Sequence, residues 1–147
     1  MGLFDKVLGK DSGTVSLNKA EAFAAIGVAT VAVDGVITSE EVQRVAVDLT
    51  TLKAFRKHDT RDLAKTLNKV AGMIQKRGTG PVFDTVKTVL TTEEKLAAFF
   101  IAADLVLADG VVEEEERKFL EDLQGTLEIE DATAIKIVEV AAIKNGG

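Results

Sequence analysis

The chain has 147 residues, 46% of them hydrophobic, which is enough for one domain with a buried core. Its formal charge of −6 opposes nucleic acid as a ligand and disfavours anionic membranes. With no Cys and a single His, disulfides, zinc–thiolate sites, His-based metal clusters, Cys nucleophiles and Ser-His triads are excluded.

The first stretch, "MGLFDKVLGK", lacks the long apolar region and cleavage site of a secretory signal. It sets Leu3, Phe4, Val7 and Leu8 on one side of a short helix. Residues 1–17 are therefore expected as a short N-terminal helix or a mobile segment, with residues 2–9 able to touch a membrane surface or a partner or to dock back. Asn18 then opens "NKAE", a capping box closed by Glu21, and Leu17 can supply the hydrophobic staple. From residue 20 to 33 only Gly27 weakens a helix, at about 1 kcal/mol relative to Ala.

"VAVDGVIT" follows, and in isolation it reads as a hairpin around Asp34-Gly35. Its arms decide otherwise. Fourteen residues precede the turn without a break, too many for an ordinary strand. Thr38 opens a second box ending at Glu41, after which Val42, Val45, Leu49 and Leu52 recur at helical spacing. Asp34-Gly35 is thus a helix end with glycine in the left-handed conformation, and Val36 and Ile37 are expected to turn inward and seal the corner.

Further helices are expected in "DTRDLAKTLNKVAGMIQKR", in a connector near residues 82–90 after Gly78, Gly80 and Pro81, and at residues 96–108 behind the box "TTEE". Two more follow, in "EEEERKFLEDL", whose acids suit a first turn, and at residues 130–144. The longest apolar run, residues 96–108, is interrupted by Asp104 and too short to span a bilayer. The chain is expected to be cytoplasmic.

Asp34-Gly35-Val36-Ile37 returns 75 positions later as Asp109-Gly110-Val111-Val112, and Glu40-Glu41 as Glu115-Glu116. Each copy has an apolar helix before it, an acidic-start helix after it and a third helix beyond. The expected fold is all-α: a single-domain bundle of about seven helices built from two pseudo-twofold-related three-helix repeats, near 18–77 and 92–144.

The corner acids admit two readings. In one, Asp104, Asp109, Glu113 and Glu116 at the second corner, with Asp34 and Glu41 at the first, offer oxygen ligands to a hard divalent cation such as Ca²⁺, Mg²⁺ or Mn²⁺. In the other, the aspartates hold backbone N–H groups in a turn and the glutamates are solvated at helix starts. Asp104 sharpens the choice, because a carboxylate inside an apolar helix needs a Lys, an Arg, a backbone donor or a cation. Its counterpart in the first copy is Ala29. The loop is not an EF-hand, since Gly follows Asp directly and two aliphatic residues come next. No nucleophile, oxyanion hole or phosphate loop is legible, so a non-enzymatic role is expected.

An apolar helix, then Ala108-Asp109-Gly110-Val111-Val112 and Glu116, resembles the TerB-like tellurite-resistance family. Asp34-Gly35-Val36-Ile37 with Glu41 repeats the pattern, with Val33 in place of Ala. The resemblance covers roughly residues 18–144 and implies an all-helical, duplicated fold associated with tellurite resistance and stress response. It also implies metal binding through the acids that match its motifs: Asp109 and Glu116, Asp34 and Glu41, and Asp104. The alternative is a metal-independent interaction module, whose acidic surface meets a basic or membrane-associated protein partner in a stress-response complex.

Overall fold

The computed structural model describes residues 15–33 and 35–147. Among them are seven α-helices, one short 3₁₀ turn and no strand. The helices are α1 (Lys19–Val31), α2 (Ser39–Thr50), α3 (Thr60–Arg77), α4 (Thr79–Val89), α5 (Thr92–Leu107), α6 (Glu114–Thr126) and α7 (Asp131–Gly146); the 3₁₀ turn is Lys53–Phe55. The expected amphipathic segment at residues 2–9 lies outside the described residues.

Three helices start where the sequence wrote a capping box. Asn18 Oδ1 accepts from the Glu21 N–H at 2.8 Å, and Glu21 Oε1 accepts from the Asn18 N–H at 2.9 Å. Thr38 with Glu41 and Thr91 with Glu94 close the same reciprocal pair. A fourth box, Asp59 with Asp62, starts α3. It escapes the usual pattern because Asp stands in both places. Each box satisfies helix-start donors that would otherwise lack partners.

α1 and α5 are apolar on every side, and each needs cover all round. They lie against each other at the centre, with α2, α3 and α4 around α1 and with α2, α6 and α7 around α5. The core between them includes Phe23, Ile26 and Phe99, joined by Val45 and Leu49 of α2, Val70 of α3, Val82 and Val86 of α4 and Leu123 of α6. Lys19 at the start of α1 pairs with Glu94 at the start of α5, and Gly27 late in α1 faces Leu105 late in α5. The two central helices therefore run in the same direction. Both Asp-Gly corners emerge at one end of the molecule.

Gly27 has a reason for being glycine beyond tolerance. A Cβ there would stand 2.9 Å from Val45 Cγ1, inside any normal contact. The missing side chain lets α2 close onto α1. Gly72, in α3, has open space where a methyl group would stand, with nothing within 4 Å. The two glycines should thus answer oppositely to enlargement. Gly27→Val is expected to destabilise by about 1–3 kcal/mol through overpacking, and Gly72→Ala to stabilise by about 0.5–1 kcal/mol through helix propensity. Urea unfolding of the two variants against the parent measures both signs.

Candidate functional site

The two corners are built alike. The Gly35 N–H donates to Ala32 O at 2.9 Å and the Gly110 N–H to Leu107 O at 3.1 Å, closing the last turns of α1 and α5. Both glycines have positive φ, +83° and +79°, the left-handed conformation that side chains resist. Two aliphatic residues follow, and then the next capping residue.

Val36 and Ile37 do not seal the first corner. They are 63% and 44% exposed, and Val111 and Val112 at the second are 58% and 38% exposed. The expectation of inward-facing residues fails because the core beneath is already filled by Val45, Leu105 and Val106, all buried. The residues after each glycine lie beyond the ends of α1 and α5; Val112, the least exposed of the four, borders a hollow with Phe99, Val106 and Leu120.

The acids of the corners fall into separate settings. Asp109 is exposed, and its Oδ1 accepts the Val111 N–H at 3.2 Å, an Asx turn. Glu116 Oε1 accepts the Glu113 N–H at 2.9 Å, and Glu41 Oε1 accepts the Thr38 N–H at 2.9 Å, so both serve as helix caps. Glu113 itself is exposed. Asp34 lies outside the described residues. Among the described residues no group of three or more Asp, Glu or His side chains is gathered to hold a metal ion.

Asp104 is set apart from these. It is 4% exposed and receives Lys144 Nζ at 3.0 and 3.1 Å on its two oxygens, with Asn145 Nδ2 at 2.7 Å. Of the partners open to it, the fold supplies an ammonium and an amide from the last turn of α7. Burial raises its carboxyl, yet the hydrogen bonds from Asp48, Asn145 and Lys144 together hold it below the ordinary Asp range. The same contact raises the Lys144 ammonium.

Asp48, on α2, stands beside Asp104. Burial first, and then the neighbouring Asp104 carboxylate, push it up to about 7, against the opposing charge of Lys144. Sequence reading passed over Asp48, which looks like an ordinary polar residue in "VAVDLT". The available signal was its place between the buried Val45 and Leu49. These groups border a hollow of about 430 Å³, lined also by Glu40, Arg44 and Val47 of α2 and by Ala108. Glu40 follows the first corner and Ala108 opens the second. The hollow therefore lies between α2, the end of α5 and the last turn of α7.

A larger hollow, about 700 Å³, lies at the opposite end between the starts of α1 and α5, bordered by His58, Lys53 and Leu52. His58 packs against Phe55, with ring centres 4.9 Å apart and the ring planes tilted by 53°.

An all-helical bundle with this twice-written corner matches one sequence family over residues 20–139, described as tellurite resistance protein TerB. The chain belongs to the TerB family. No curated protein and no solved structure matched it. Among the described residues of this TerB chain no helix is long and apolar enough to cross a membrane.

Lys144 is the ammonium that answers a buried carboxylate. Lys144→Met should cost about 1–3 kcal/mol, because Asp104 loses a charged donor in a poorly hydrated place. Lys118→Met, at an exposed position of α6, should change stability by less than about 0.5 kcal/mol. Thermal unfolding at neutral pH compares the two.

Proposed function

We propose that this TerB-family chain is a non-enzymatic docking module of a stress response, and that its paired corners bind a basic protein segment carrying apolar side chains. The observation that carries the reading is the outward set of Val36, Ile37, Val111 and Val112 at one end of the bundle. Isolated exposed aliphatics mean little, but two exposed pairs at the same end of the bundle can serve one partner together. Glu40, Asp109, Glu113, Glu114 and Glu115 are exposed around it. The chain has no Lys or Arg between residues 20 and 43 or between 96 and 116. Such a surface complements an amphipathic basic helix, its acids steering the encounter and its aliphatic centre supplying contact area.

The capping roles of Glu41 and Glu116 support the same reading, since those carboxylates already serve backbone donors. A divalent cation at Asp109 and the Glu113–Glu116 turn is the competing reading. Melting series in CaCl₂, MgCl₂ and MnCl₂ separate the two, because a bound ion raises the unfolding temperature by linkage. The docking reading expects no rise that Asp109→Asn abolishes.

The direct test uses a fluorescent synthetic peptide of Lys and Leu that forms an amphipathic helix, followed by anisotropy. The parent chain is expected to bind it, and to bind more weakly as salt screens the acidic rim. Val36→Ser combined with Val111→Ser should leave the fold unchanged, both residues being exposed, and weaken binding at least about tenfold. Undetectable binding by the parent, or equal binding by the double variant, would overturn the proposal.

A further inference from the structure

We infer that α7 offers its outer face to the α7 of a second copy of this chain, the two helices lying antiparallel about a twofold axis. The inference goes beyond the docking reading and rests on residues that reading does not use.

α7 carries aliphatic residues all round, yet it packs chiefly on α5. Ala134 and Ala141 are buried on its inner face. Its outer side leaves Ile135, Val140 and Ile143 exposed at 57%, 56% and 74%, and Ile143 is the most exposed large apolar side chain among the described residues. α3, which follows the first corner as α7 follows the second, is built differently. It buries Leu63 and Val70 and turns Arg61, Lys65, Asn68 and Lys76 to solvent, with no large apolar side chain exposed. Nor can α7 roll inward to hide Ile143. Its last turn is held by the bonds from Lys144 and Asn145 to Asp104, which fix which side faces the bundle.

The outer face is written to fit itself. Ala132, Lys136, Glu139 and Ile143 are all exposed and recur at steps of four, three and four residues, the spacing of a helix–helix seam. In an antiparallel pair centred between residues 137 and 138, Ala132 faces Ile143 of the other copy and Lys136 faces its Glu139. Twofold symmetry makes each contact twice. A small residue then meets a large one, opposite charges meet, and Ile135 and Val140 line the flanks.

The charges also select the occupant and its direction. A parallel pair about a twofold axis would set Lys136 on Lys136 and Glu139 on Glu139, two like-charge contacts that oppose it. A purely basic or purely acidic partner would satisfy one of these charges and repel the other, whereas a second copy satisfies both. Among the described residues neither Lys136 nor Glu139 makes a salt bridge within its own chain. One helix pair is a small seam, so reversible association in the micromolar range is expected rather than a permanent dimer.

Sedimentation equilibrium of the full chain from about 5 to about 500 µM reads the association directly. The weight-average mass is expected to climb from that of one chain toward twice it. Ile143→Ser, at a position outside the core, should weaken association at least about tenfold. Lys136→Glu should do the same by setting like charges against Glu139 twice, and adding Glu139→Lys should restore the parent's constant. A single-chain mass at every concentration would overturn the inference and leave the face to another occupant, such as residues 2–9 of the same chain. Self-association that Ile143→Ser leaves unchanged, or a charge-exchanged variant no tighter than Lys136→Glu alone, would contradict it equally.

Discussion

The fold depends on two helices that have no polar face. Beyond their polar first turns, α1 and α5 are built mainly of Ala, Val, Leu, Ile and Phe, and neither can lie on a surface without exposing a large apolar area. Laying them side by side, with the other helices around them, buries both. Because they run in the same direction, their C-terminal ends coincide. That one constraint brings the two Asp-Gly corners, far apart in sequence, to a common end of the bundle.

At that end the chain's local devices divide the work. Left-handed glycines end α1 and α5, and Glu41 and Glu116 turn back to cap the helices that follow. Once these carboxylates are occupied by backbone donors, what the corners offer outward is aliphatic surface inside an acidic rim. Beneath it, the polar seam of Asp48, Asp104, Lys144 and Asn145 joins α2, α5 and α7.

Much of the fold was legible because its signals are local. Asn18-x-x-Glu21, Thr38-x-x-Glu41 and Thr91-x-x-Glu94 announce helix starts within four residues, and Gly35 and Gly110 announce the ends. The all-helical class and the helix count followed from these and from apolar spacing. The Asp59-x-x-Asp62 box was equally local but is written in a less familiar residue pair. The outward turn of Val36 and Ile37 was not legible, because hydrophobicity says what would gain from burial and not whether the core has room. Asp104 was recognised as needing a partner, but its partners come from residues 48, 144 and 145, and no periodicity within one helix reports such long-range pairing. Gly27 was read as a tolerated weakness for the same reason: the close approach of Val45 belongs to packing, not to the helix itself.

The most direct test of the account is chemical-shift mapping on the ¹⁵N-labelled chain during titration with the Lys/Leu peptide. The account requires the amides of Val36, Ile37, Val111, Val112 and Glu113–Glu115 to shift together along one binding curve, with those around His58 at the other end unmoved. Shifts confined to one corner, or centred on the hollow beside His58, would contradict the claim that the paired corners form a single surface.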